Sequence, residues 1–147
     1  HYINPKMIVG CLVVKNDKVL LCRRSIEPQK GLWNLPCGFL EMDEDLQTGA
    51  IRETLEESRV VAKVSRLFTV YSIPDFGQVF FHFLAEMTND EYGVTSESSE
   101  VEFFAKEDIP WNEIAFSSTK FCLKKYFENP SQAEPIFGIH YKENGVF

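Results

Sequence analysis

The strongest constraint in this sequence is a change of hydrophobic period close to residue 45. Before it, Met7 to Val14 and Lys18 to Cys22 are apolar runs separated by Lys15-Asn16-Asp17, the pattern of a β-hairpin closed on an Asn-Asp turn. After it, Leu46, Ala50, Ile51 and Leu55 recur at helical spacing with acids clustered on the other side, which predicts a helix from about Asp45 to Ser58. A hairpin and an amphipathic helix each have one apolar face to bury, so such a chain must lay helix on sheet.

The same reading extends to the C-terminus. Ser25 to Asn34 is a polar loop with Pro28 and Gly31, and Leu35-Pro36-Cys37-Gly38-Phe39 is a short extended piece leading out of it. Val60 to Ile73 predicts one long strand or two short ones, Pro74-Asp75-Phe76-Gly77 a turn, and Gln78 to Met87 a further strand. Thr88 to Ser99 is loop, Glu100 to Ala105 strand. Ser117 to Phe127 is a second helix with Phe121, Leu123 or Lys124, and Phe127 near one face, and Ser117 or Ser118 as its N-cap. Periodicity weakens beyond Asn129-Pro130, so the segment after about residue 129 is expected to be a mobile tail. No repeat or linker divides the chain, and 147 residues at 44% hydrophobic content suffice for one core, so residues 1–147 are read as a single domain. Hairpins mixed with two helices point to the α/β class, as an α/β/α sandwich around a mixed β-sheet.

Charge narrows the function. A net charge of −7 lacks the basic stripe that displaces counterions from nucleic acid, so no nucleic-acid partner is expected. Handling an anionic substrate would then require bound cations or a few placed arginines. No apolar run approaches the length of a membrane helix, and no signal-like segment opens the chain, so neither a membrane partner nor an export address is expected. Cys11, Cys22, Cys37 and Cys122 form no C-x-x-C pair, which excludes a zinc ribbon or redox dithiol within the chain and favours reduced thiols and a cytoplasmic location. The start at His1 suggests that upstream residues were removed or belonged to a longer precursor. A homodimer is the default expectation for self-association.

The predicted helix carries the chemistry. Residues three and four apart share a helix face, so Glu53, Glu56 and Glu57 crowd into one region beside Arg52. Such crowding costs only about 0.2–0.5 kcal/mol per pair on an exposed helix, so the cluster alone fits a solvated acidic face with Arg52 paired to Glu56. The wider spacing alters that balance. Gly38, five residues, Glu44, seven residues, then Arg52-Glu53-Thr54-Leu55-Glu56-Glu57 ahead of Val60 fixes six charged or glycine positions, a coincidence of roughly one in 10⁷ registers at average residue frequencies.

That spacing resembles the signature of the Nudix hydrolases. The resemblance implies a Nudix-type sandwich and a Mg²⁺ site, with Mn²⁺ as an alternative, since hard cations take carboxylate oxygens while keeping water and phosphate in their shell. It implies Gly38, Glu53, Glu56 and Glu57 as metal ligands, with Gly38 offering its backbone carbonyl, and Glu97 and Glu100 as additional ligands or alternative bases from a later loop. It implies Glu53 as the base that activates water, Arg52 as the residue orienting it, and Glu44 as a holder of metal-bound water. Three positions depart from the pattern: Arg59 stands where the signature has glycine, Asp43 where glycine is common, and Thr54 where an aliphatic residue is usual.

Further segments extend the likeness over about the first 128 residues. Asn4-Pro5-Lys6-Met7, Leu20-Leu21-Cys22-Arg23-Arg24, Gly31-Leu32-Trp33-Asn34-Leu35-Pro36 and Ala115-Phe116-Ser117-Ser118 resemble the Nudix branch of NADH pyrophosphatases and plant FAD diphosphatases. Members of that branch often carry a zinc ribbon just before the Asn-Pro-Lys segment, where this chain begins. The branch implies a small-molecule nucleotide substrate of the FAD, NADH or ADP-ribose type, cleaved to two monophosphates. Arg23 or Arg24 would grip phosphate, and Trp33 or Phe39 would stack a base or flavin. His82, between Phe81 and Phe83, reads as a packed or surface histidine. The alternatives are a nucleoside triphosphate sanitising pyrophosphohydrolase and a module that senses such nucleotides without cleaving them.

Overall fold

A computed structural model of the chain describes residues 3–140. The expected hairpin is β1 (Lys6–Lys15) and β2 (Lys18–Arg24), with Asn16 and Asp17 at φ 51° and 64° closing a tight turn whose twist matches the strands. Then follow β3 (Trp33–Asn34), β4 (Cys37–Phe39), α1 (Leu46–Ser58), β5 (Ala62–Ile73), β6 (Gln78–Met87), β7 (Ser98–Phe104), α2 (Ser117–Glu128) and β8 (Ile136–Ile139). Three short 3-10 turns lie between them, one of them over Pro74–Phe76, where a turn was expected, closed by Gly77 at φ 61°.

The eight strands form one branched mixed sheet in the order β3-β2-β1-β6-β5-β8, with β4 on β1 and β7 on β2. β1 is the branch. One edge runs parallel to β6 from Lys6↔Gln78 to Val13↔Ala85. Its other edge pairs first with β4, through Val9↔Gly38, and then with β2, through Val14↔Val19. The sheet therefore parts between β4 and β2.

Strand alternation delivers β1 to both cores. Val9, Cys11 and Val13 pack with Ala50 of α1, Val60, Phe83 and Ala85, whereas Leu12 packs with Phe68 and with Cys122, Leu123 and Tyr126 of α2. One helix on each face completes the α/β/α sandwich expected from the pattern. Among the described residues no helix is long and apolar enough to cross a membrane. All four cysteines are free, with Cys11, Cys22 and Cys122 buried.

Three local expectations are corrected. Leu55 is 47% exposed while Glu57 is 8% exposed, so the buried face of α1 is Gly49, Ala50, Thr54, Glu57 and Ser58. Thr54 and Ser58 are accommodated there by donating to carbonyls one turn back, Ala50 O at 2.8 Å and Thr54 O at 2.6 Å. The N-cap of α2 is Phe116, with no side-chain cap, because Ser118 is turned into the core. Within the stretch read as a tail, Ile136–Ile139 adds to β5 as a parallel strand, and Arg66 ties the approach by donating to Gln132 O at 2.8 Å. The last seven residues of that stretch lie outside the described ones.

Candidate active site at the opening of the sheet

α1 is anchored at its N-terminus by Asp45, whose carboxylate accepts from Thr48 N at 2.7 Å. It ends at Arg59, whose N–H reaches Leu55 O from a left-handed backbone, φ 67°. Asp43 is also left-handed, φ 64°. The two positions where this sequence departs from glycine thus keep the backbone that glycine would adopt most cheaply.

Between these ends Arg52 gathers the acids. Its Nε and Nη2 hold both oxygens of Glu44 at 2.7 and 2.9 Å, and Nη1 donates to Glu53 at 2.8 Å and to Glu56 at 3.3 Å. Nη2 also donates to the carbonyl of Phe39, which fastens α1 to β4. The paired guanidinium and the Glu41 N–H hold the Glu44 carboxyl down at about 2, so Glu44 stays charged and is spent on Arg52. Arg52 is pinned from several sides and in turn directs the Glu53 carboxylate toward Gly38. A Cβ at Gly38 would overlap that carboxylate, so only glycine lets the strand and the acid meet.

Glu53, Glu57, Glu97 and Gly38 line a cavity of about 380 Å³ together with Cys37, Phe39, Ile8, Gln78, Phe80, Arg24, Ile26, Glu27, Pro28 and Phe116. Glu97 is brought there by its loop. Thr95 Oγ1 bridges the Glu57 carbonyl and the Glu97 N–H, and Ser25 holds the Ser96 and Glu97 carbonyls. Burial raises the pKa of Glu53, and burial with Glu53 and Glu97 nearby raises that of Glu57 well above the carboxylate range. Among the described residues Oε2 of Glu57 and Oε2 of Glu97 are buried without a hydrogen-bond partner.

Such orphaned carboxylate oxygens suit a hard divalent cation, which would supply the positive charge that Arg24 alone brings to this wall. Among the described residues no three acidic, histidine or cysteine side chains converge on one ion position, and Glu56 is 47% exposed and turned onto Arg52. Glu53, Glu57, Glu97 and the backbone at Gly38 are the groups that would hold an ion here once their side chains are drawn together.

The remaining expected site residues divide. Arg24 lines the cavity, its Nε held by Pro28 O at 2.7 Å and its guanidinium 5.2 Å above the Phe116 ring, leaving both terminal amino groups free of hydrogen bonds among the described residues. Phe39 also lines it, half exposed, with Lys6 over one ring face. Arg23 does not: it donates to Gly31 O and pairs with Glu100 and Glu113. Glu100 accordingly lies outside the cavity. Trp33 is a core residue, packed edge-on against Phe104. Gln78, Phe80, Ile26 and Glu27 join the wall without any signal of their own in the sequence; Phe116 stood in a quoted segment but without an assigned role.

Comparison with known proteins agrees with this geometry. The NUDIX domain model matches residues 4–122. An ADP-ribose pyrophosphatase of Methanocaldococcus jannaschii is 33% identical over 129 residues, covering 85% of this chain and 75% of that protein. Phosphatase NudJ of Escherichia coli K12 is 41% identical over 59 residues, 40% of this chain and 38% of that protein. Among solved structures, a NUDIX hydrolase from Nitrosomonas europaea superposes with TM-score 0.91 at 44% identity, over 97% of this chain and 82% of that one. A bifunctional NMN adenylyltransferase/ADP ribose pyrophosphatase from Francisella tularensis, complexed with AMP and a manganese ion, shares the fold at TM-score 0.74 and 23% identity, over 86% of this chain and 42% of that one. With the signature helix, the sandwich and these relatives in agreement, the chain belongs to the Nudix family of hydrolases, enzymes acting on pyrophosphate bonds.

Proposed function

We propose that this enzyme is a Mg²⁺-dependent diphosphatase that cleaves an adenine nucleoside diphosphate derivative of the ADP-ribose, FAD or NADH type into two monophosphates, with Mn²⁺ able to replace Mg²⁺. The observation that carries the reading is the mixed lining of one cavity, in which the acids Glu53, Glu57 and Glu97 share the wall with Phe39, Phe80, Phe116 and Ile26. A diphosphate that carries a flat ring suits such a lining. The name of the Methanocaldococcus relative supports the ADP-ribose member of the class.

In this reading the cation, when bound, neutralises diphosphate charge and lowers the pKa of coordinated water. Glu57, Glu97 and the Gly38 backbone would hold it, and Glu53, aimed by Arg52, would take the proton from the attacking water. Arg24 donates its two free amino groups to a phosphate while Pro28 O fixes its third nitrogen. Phe39 offers a face to the ring of the substrate. The free and mostly buried cysteines suit a reducing cytoplasm.

The test is release of monophosphates from ADP-ribose, FAD, NADH, coenzyme A and nucleoside triphosphates with Mg²⁺, before and after chelation, for wild type and Glu53→Gln. Loss of turnover on chelation and in Glu53→Gln is expected. Preference for triphosphates would favour the sanitising alternative, and tight binding without turnover would favour a sensor. Full activity of Glu53→Gln would move the base to Glu97.

A further inference from the structure

We infer that Gln78 is the residue that reads the nucleobase, and that it reads adenine through a two-point contact to the amino group and the neighbouring ring nitrogen. The inference rests on the diphosphatase reading above, whose three candidate substrates share only the adenine nucleoside diphosphate half.

Position comes from strand register. β4, β1 and β6 lie side by side, with Val9 level with Gly38 on one side and Phe81 on the other, and Ile8 level with Phe39 and Phe80. Gln78 sits on β6 opposite Lys6, two strands across from Gly38 and three residues further along. At about 4.8 Å between strands and about 3.3 Å per residue, its Cα is about 14 Å from that of Gly38. Gly38 and Gln78 belong to opposite faces by that register yet both line the one cavity, and a separation of this order would accommodate a ribose between a phosphate held near Gly38 and a base at Gln78. A base attached to that ribose would arrive at Gln78.

The chemistry of that end points the same way. Gln78, Phe80 and Ile8 share one sheet face by alternation, and all three line the cavity with Phe39. The rings can take a base on its face, but they cannot distinguish one base from another. Among the described residues Gln78 carries the one carboxamide in the cavity wall, and that carboxamide makes no hydrogen bond. A carboxamide presents one donor and one acceptor side by side, which matches the ring nitrogen and exocyclic amine of adenine. Glu27, the acid at the mouth, is occupied by the Lys30 N–H at 3.2 Å.

The test measures binding of reaction products, so it does not depend on turnover. Dissociation constants for AMP, purine riboside 5′-monophosphate, which lacks the amine, and GMP are taken with Mg²⁺ by calorimetry, for wild type, Gln78→Leu and Gln78→Glu. Wild type should prefer AMP to the purine riboside by on the order of ten-fold, the lower part of the range for a two-point base contact. Gln78→Leu should abolish that ratio. Gln78→Glu, with two acceptors, should shift preference from AMP toward GMP, whose edge carries two donors. An AMP preference that persists in Gln78→Leu, or its absence in wild type, overturns the inference. Turnover of ADP-ribose, FAD or NADH by wild type is scored separately. A diphosphatase whose base preference ignores Gln78 refutes this assignment alone, and a Gln78-dependent AMP binder without turnover refutes the catalytic reading alone.

Discussion

His82 sets up a stability prediction that can be worked from the structure. It lies on β6 at 1% exposure, stacked against Phe80, with Gly10 of β1 and Thr69 of β5 as its neighbours across the sheet. Neither ring nitrogen has a hydrogen-bond partner among the described residues, and burial alone pushes its pKa from 6.5 down to about 4. The folded state therefore resists the proton that the unfolded chain accepts. The contribution of the neutral ring is complete above pH 6.5 and is lost as pH falls from there toward 4, because over that window the unfolded state binds more protons. At about 1.4 kcal/mol per pH unit the gap amounts to about 3 kcal/mol. His82→Phe keeps the stacking and removes the titration. Urea unfolding of both proteins between pH 7.5 and 4 should give curves that diverge by about 3 kcal/mol, the wild type losing more. Glu44, also shifted, does not blur the comparison: its lowered pKa acts between 4.5 and about 2, and it is present in both proteins. Parallel stability curves for the two proteins across pH 6.5 to 4 would refute the reasoning.

Other perturbations follow from the site. Gly38→Ala puts a methyl group into the Glu53 carboxylate, so kcat should fall at least about a hundred-fold, the scale of a misplaced catalytic group, while thermal unfolding shifts little; an active Gly38→Ala enzyme would sink the close-approach argument. Arg59→Gly relieves a left-handed residue and gives up an exposed 3.5 Å pair with Glu91, for a net gain of about 0.5–1 kcal/mol in chemical denaturation, and no gain would show that the cap is not strained. Arg52→Lys cannot hold both oxygens of Glu44 while also reaching Glu53, so kcat should drop by about ten-fold or more with KM nearly unchanged; a KM effect without a kcat effect would place Arg52 in substrate binding instead.

What could be read from the sequence was local. The hairpin, β6 and α1 were placed within a residue or two because period, turn chemistry and capping are all set by near neighbours, Asn16-Asp17 and Asp45 among them. The signature acids were legible for the same reason, since one helix carries Arg52, Glu53, Glu56 and Glu57. The face of α1 was misjudged because periodicity assigns any carboxylate to solvent. It is the opening between β4 and β2 that takes Glu57 in and leaves Leu55 out, and that opening involves residues distant in sequence. Trp33 and Arg23 look like ligand-binding residues by type, yet Phe104 and Glu100, about 70 residues onward, claim them for the core and for β7.

The distinction between Arg23 and Arg24 shows how the fold assigns a role that neither residue type nor position along the chain can. The two are adjacent on β2, so their side chains leave opposite faces of the strand. Arg23 faces Trp33 and finds Glu100 and Glu113. Arg24 faces the opening, where its charge acts on Glu57 and, among the described residues, its one side-chain hydrogen bond is to Pro28 O. A guanidinium anchored by a single nitrogen and resting on Phe116 keeps its outer fork for an anion and is already oriented for it, so less of its rotamer entropy is spent when phosphate arrives. Arg23, with its guanidinium shared among a carbonyl and two carboxylates, would have to abandon those contacts to do the same. The proposed phosphate grip accordingly follows from strand parity at the end of β2, and shifting that register by one residue would exchange the positions of the two arginines.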